Sequence, residues 1–220
     1  MAAIPPIGAV IIPVTPFQQN CTLLWNTSTM EGVFVDPGGE ADRLVSEAQK
    51  HGVKVKEIWI THGHLDHAGG AMQVAAKLNV PIIGPHIDDK FWCDSIVEAW
   101  AKYGVTDCDN CVPTRWLNDG DKLYLGDIEF DVVHTPGHTP GHVVIINKDL
   151  ELALVGDVLF QGSIGRTDFP KGNHQDLLDS ITKKLWPYGD NIRFVPGHGP
   201  MSTFGNERAS NPFVSDSKFG

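Results

Sequence analysis

The sequence predicts an α/β fold in which helices cover sheets. Short β-rich apolar runs alternate with stretches of helical periodicity. The strongest apolar runs each end in Gly or Pro-Gly beside a His or Asp. A chain of 220 residues that is 41% hydrophobic and 20% charged can bury a sizeable core.

Residues 8–14 and 20–25 read as strands, and GVFVDPGG is a short apolar run stopped by Pro37 and two glycines. From Glu40 to His51, Leu44, Val45 and Ala48 fall at helical spacing, and Gly52 stops the helix. VKEIWITH is a strand, His67 to Asn79 a helix, and VPIIGP another strand. Residues 87–103 read as one helix with a stripe of Phe91, Trp92, Ile96, Trp100 and Tyr103, expected to pack as core or lid. KLYLG, DIEFDVV, HVVIINK and ELALVGD are strand-like. His174 to Leu185 is a helix, and IRFVPGH is the last strand.

Composition excludes several classes. A formal net charge of -10 does not suit nucleic-acid phosphates, and there is no Lys/Arg cluster. No apolar stretch approaches the ~20 residues a membrane span needs. The opening MAAIPPIGAVIIPVTP lacks a basic segment and is broken by prolines, which argues against a signal peptide. Four cysteines are too few for a disulfide scaffold, so a reducing cytoplasm is expected. Cys108 and Cys111 form one CxxC pair with no second pair to complete a zinc site, and read as loop thiols.

The chemistry sits at the ends of the apolar runs. EIWI leads into Thr61-His62-Gly63-His64, FDVV into His134-Thr135-Pro136-Gly137-His138, LALV into Gly156-Asp157, and IRFV into Pro196-Gly197-His198. Proline ends strand pairing and glycine permits a sharp turn, so these side chains fall where open α/β sheets place their sites. His62 and His64 alternate along extended chain and can point the same way. Asp66 and His67 follow at a helix start. His62, His64, Asp66, His67, His138, Asp157 and His198 are too many for one catalytic ion and suit two, sharing a bridging carboxylate. Imidazole with carboxylate suits zinc, and also iron or manganese. His134 and His142 compete with His138 or orient it from behind, and Asp36 is either a turn-former or such an orienting partner. His51, His86 and His174 read as structural.

In combination THGHLDH, TPGHTPGH, GDVLF and VPGHGP resemble the metallo-β-lactamase superfamily over nearly the whole chain. Aspartate at position 157, GSIGRTDFPKGNH and STFGNERASNPF are similar to the single-domain bacterial, glyoxalase-II-like branch. The resemblance implies an αββα sandwich with a dinuclear metal site at one edge of the sheets. His62, His64 and His138 would hold one cation, Asp66, His67 and His198 the other, and Asp157 would bridge. It implies one domain over residues 1–220, lacking the helical glutathione-binding domain of two-domain glyoxalase II.

The activity so implied is hydrolysis of acyl thioesters of the S-lactoylglutathione type, by attack of a metal-bound hydroxide that Asp66 orients and deprotonates. Arg166 matches a basic residue of the family's glutathione pocket, with Lys171 as a second nearby cation. Pro200 stands where the family tends to have tyrosine, which weakens the expectation of glutathione as thiol carrier. The rivals are an iron persulfide dioxygenase, which GRTDF also resembles, and a lactonase or other hydrolase of the superfamily.

Overall fold

In the computed structural model, residues 5–219 are described. Met1 to Ile4, which open the stretch weighed as a signal peptide, lie outside the described residues, as does Gly220.

The first half of the chain builds a five-stranded sheet. β1 (Ile7–Val14), β2 (Gln19–Asn26) and β3 (Glu31–Val35) are antiparallel neighbours, and β4 (Lys54–Trp59) and β5 (Ile82–Ile83) extend the sheet in parallel. The second half builds a six-stranded sheet from β6 (Lys122–Leu125), β7 (Ile128–His134), β8 (Val143–Asn147), β9 (Leu152–Gly156), β12 (Arg193–Pro196) and β13 (Ser202–Thr203). Its order is β13-β12-β9-β8-β7-β6. A small hairpin, β10 (Leu159–Phe160) with β11 (Ser163–Ile164), stands apart.

Strand periodicity makes the layers. Val33 and Val35 of β3 face the second sheet, while Phe34 between them faces the outer helices. In β8, Val143 and Ile145 join that inter-sheet core, and Val144 and Ile146 point to the opposite helical layer. Both sheets are therefore buried on two faces, which is why their central strands read as continuous apolar runs. Outside the first sheet lie α1 (Ala41–Lys50) and α3 (Ala71–Leu78), which contribute Leu44, Ala48 and Val74 to its core. Outside the second lie α6 (His174–Asp179) and α7 (Phe204–Ser210), which contribute Leu177 and Phe204. The αββα order expected from the resemblance is the order observed.

Three predicted helices differ in detail. The stretch 67–79 is two helices, α2 (Leu65–Ala68) and α3, broken at Gly69-Gly70. The break lets the backbone pass close to the Pro37-Gly38-Gly39 turn, with Gly70 N–H donating to Pro37 O at 3.0 Å. A Cβ on Gly38 would stand 1.5 Å from Asp66 O, so the approach demands glycine. The stretch 87–103 is a single turn at Ile87–Asp89 followed by α4 (Lys90–Cys93) and α5 (Ile96–Ala101). The Ser95 hydroxyl takes the Trp92 carbonyl at 3.0 Å, diverting an acceptor from the helix ladder. The stretch 174–185 starts as α6, capped by Asn173 Oδ1, and widens into π-helical turns over Ser180–Leu185. The strands β10, β11 and β13, and the helices α7 and α8 (Asp216–Phe219), were not anticipated as elements.

Two consequences position the site. β7 and β9 both run antiparallel to β8, and β12 runs parallel to β9, so all three end on the same edge. β4 of the other sheet ends there too, tied across the seam by Val143 N–H donating to Thr61 O at 2.8 Å. Among the described residues no helix is long and apolar enough to cross a membrane.

Candidate metal centre

All seven residues read as ligands meet at this edge. His64 Nδ1 lies 3.1 Å from His62 Nε2 and 3.0 Å from His138 Nε2. Asp66, His67 and His198 form a second group, with His198 Nε2 3.1 Å from Asp66 Oδ2 and His67 Nε2 3.9 Å from it. Asp157 stands between the groups. Its Oδ2 is 3.6 Å from His138 Nε2 and 3.7 Å from His198 Nε2, and its Oδ1 is 3.4 Å from His67 Nε2. Each group could hold a cation, and the carboxylate touches both.

Four of the five rings are fixed from their far side, and His64 Nε2 has no partner. His138 Nδ1 donates to Arg166 O at 2.7 Å, and His198 Nδ1 to Phe17 O at 3.2 Å. A carbonyl only accepts, so Nδ1 carries a proton and Nε2 is the nitrogen left facing inward. Asp36 does the same for two more rings. Its Oδ2 accepts from His67 Nδ1 at 2.9 Å and from the Thr61 hydroxyl at 2.6 Å, and that hydroxyl oxygen accepts from His62 Nδ1 at 3.1 Å. Asp36 is therefore an orienting partner, not merely a turn-former, held with φ at 52° where β3 ends.

Several buried polar atoms lack a partner, among them His67 Nε2 and Asp157 Oδ1, which face one another across the centre. Buried groups are normally satisfied, so an inward-facing set of nitrogens and carboxylate oxygens fits a cation. Electrostatics divides the centre. Burial pushes His62 well below the ordinary imidazole range, and burial together with His138 pushes His64 down to about 3. Burial also lowers His138. Burial opposes charge on His67 too, but the Asp157 and Asp66 carboxylates raise it well above its usual value. His198 is raised against burial by its bond to Asp66. Both carboxylates resist the upward push of burial and lie below their usual range, chiefly through the charge of His67.

A cavity of about 580 Å³ opens over these residues. Its floor is polar, and Phe17, Trp92, Tyr103, Phe160 and Phe169 wall it. Trp92 meets His64 edge to face with centroids 4.6 Å apart, so part of the aromatic stripe lines the site while Trp100 and Ile96 join the core. Arg166 reaches the rim, but its guanidinium forks the Asp168 carboxylate at 2.7 and 2.6 Å and stacks 4.2 Å from the Phe169 centroid. Lys171 is seated on Phe91 rather than at the cavity.

The other histidines take different places. His142 is buried against His62 and is not in either group. His134 stacks on His86 away from the centre, and His86 Nδ1 already accepts the Asp88 N–H. His174 opens α6, and His51 caps α1. All four cysteines are free thiols, and Cys111 is buried, its N–H donating to Cys93 O at 3.2 Å. Two buried carboxylates were missed in the sequence. Asp89 is described below. Glu207 accepts from Gly162 N–H, Ser202 Oγ and Asn211 Nδ2, anchoring the β10–β11 hairpin beside the cavity.

An αββα sandwich with such a histidine–aspartate centre at its edge defines a metallo-hydrolase class, and the family model of the metallo-beta-lactamase superfamily matches residues 14–198. The chain belongs to that superfamily. It is 45% identical over 206 residues to a protein of Haemophilus influenzae named hydroxyacylglutathione hydrolase GloC, covering 93% of this chain and 97% of that one. Among solved structures it is similar to BLEG-1 B3 metallo-beta-lactamase, with TM-score 0.86, 34% identity, and coverage of 94% of this chain and 99% of that one. It is also similar to TTHA1623 in a di-iron-bound form, with TM-score 0.84, 33% identity, and coverage of 93% and 100%.

Proposed function

We propose that this chain hydrolyses acyl thioesters, with hydroxyacylglutathione conjugates as the substrate class. The observation that carries the reading is the placement of Asp157, whose two oxygens reach imidazoles of both groups within 3.4–3.7 Å. An aspartate there would be shared by both groups, and the Haemophilus relative named for this activity matches nearly end to end.

The residues divide the work. His62, His64 and His138 would hold one divalent cation and Asp66, His67 and His198 the other, with zinc the first choice and iron or manganese alternatives. When bound, the cations supply Lewis acidity and make water acidic enough to react near neutral pH. Asp66 faces the cavity as a carboxylate and takes the proton of the attacking water. The aromatic walls hold the acyl chain and exclude bulk water from it. A thiolate leaves with less need of protonation than an alkoxide, so no further acid is required. Arg166 is the cation nearest the mouth for an anionic thiol carrier. The four free thiols support a reducing, cytoplasmic setting.

The test is S-lactoylglutathione hydrolysis with metal analysis on the same sample. Two cations per chain with turnover is the expected result. Fully metallated protein that is inert toward thioesters would overturn the reading, and one iron per chain with sulfite released from glutathione persulfide would replace it with the dioxygenase.

A further inference from the structure

Asp89 is fully buried, and its carboxylate joins the two loops that carry the first histidine group. Oδ2 accepts from Gly63 N–H at 2.8 Å and from Thr139 Oγ1 at 2.7 Å, and Oδ1 accepts from Gly141 N–H at 2.6 Å. Gly63 lies between His62 and His64 on the first sheet's loop. Thr139 and Gly141 follow His138 on the second sheet's loop. No other carboxylate among the described residues hydrogen-bonds to both loops.

The fit is close on both sides. A Cβ on Gly141 would stand 2.4 Å from Asp89 N, and one on Gly63 would stand 3.0 Å from Asp89 O. Both loops therefore press on the same residue, and three donors converge on two oxygens. A carboxylate is acceptor-only and matches three donors, whereas an amide must present an N–H to at least one of them. Burial removes water as a substitute partner.

We propose that Asp89 is a positioning residue that sets the gap between His64 and His138, and through it the cation affinity of the His62–His64–His138 group. The proposal rests on the metal reading above. Hydrogen-bonded partners behind metal ligands change affinity by roughly 10- to 100-fold when removed. In Asp89→Asn, Thr139 can rotate its hydroxyl and accept instead. One loop N–H, of Gly63 or of Gly141, then loses its acceptor, and that loop retreats.

The test uses metal-depleted full-length protein titrated with Co²⁺ and followed by its visible absorption. Asp89→Asn is expected to weaken one of the two Co²⁺ binding steps roughly 10- to 100-fold, with altered bands, while the other stays as in the parent. Thr139→Val removes one of the three bonds, and is expected to weaken the same step by roughly up to tenfold. It is also the variant to read should Asp89→Asn fail to fold. Leu44→Ala, a core lesion in α1, controls for general destabilisation and should lower the unfolding temperature without moving either Co²⁺ step. Parent-like Co²⁺ affinity and bands in the Asp89 and Thr139 variants would overturn the proposal, as would an equal loss in Leu44→Ala. Parent protein that binds no Co²⁺ would instead sink the metal reading on which it stands.

Discussion

The His142 ring lies flat against His62, with centroids 4.6 Å apart and planes 19° from parallel, and its Nε2 accepts the Asp157 N–H at 3.1 Å. One buried, neutral imidazole thus supports a ligand candidate from each half of the chain. Burial holds it neutral, far below its usual range. His142→Phe preserves the stack and deletes the acceptor, stranding a buried N–H at a cost of about 1–3 kcal/mol. Urea unfolding should show that loss together with reduced cation content. An unchanged midpoint would mean the Asp157 backbone finds another partner.

Asp157→Ala removes the carboxylate shared by both groups. Metal content and thioester turnover should fall together, measured by elemental analysis and a single-substrate assay on one preparation. Activity that survives with one ion fewer and an unchanged rate would end the two-cation scheme.

The divided electrostatics predicts a pH signature. Ligand nitrogens must be deprotonated to bind a cation. His62 and His64 already favour the neutral form, with His64 near 3, so proton competition at their group is weak above mildly acidic pH. His67 and His198 have raised values, so cation binding at their group expels a proton and tightens as pH rises. Co²⁺ titrations from pH 6 to 8.5 should show one step nearly flat and one step strengthening, and the second should acidify an unbuffered solution. Two steps with equal pH slopes would contradict this division.

Arg166 is engaged by Asp168 rather than free, and both are exposed. In Asp168→Asn the guanidinium is released toward the mouth. KM for an anionic glutathione thioester should fall by a few-fold, with kcat little changed, and the gain should shrink at high salt. Arg166→Ala should raise KM, again without a matching loss of kcat, because the His138 tautomer depends on the Arg166 carbonyl and not on its side chain. A KM indifferent to both changes would remove Arg166 from substrate binding.

Much of this molecule was legible from sequence because the strand ends carry their own punctuation. Thr61 to His64, Gly137-His138, Gly156-Asp157 and Gly197-His198 each join a strand stop to a ligand-type side chain, and the shared direction of β7, β9 and β12, with the end of β4 tied to β8, brings them to one edge. The broken helix at Gly69-Gly70 was also written in the residues, and the periodicity of the flanking apolar positions obscured it. Asp89 and Glu207 were not legible. A lone acid in a polar stretch looks like surface, and only the fold reveals that three donors surround it. Trp92 and Trp100 show a related limit. Helical spacing puts them on one face, but the helix is broken between Cys93 and Ile96, and one ring lines the cavity while the other joins the core.

The seam between the sheets has a consequence for how the protein matures. The two groups assigned to cations each draw side chains from both halves of the chain, so neither is complete in one half. In order of synthesis His62 through His67 come first, His138 completes the first group, and His198 completes the second. A chain truncated between His138 and His198 would carry the three imidazoles of the first group and lack the second.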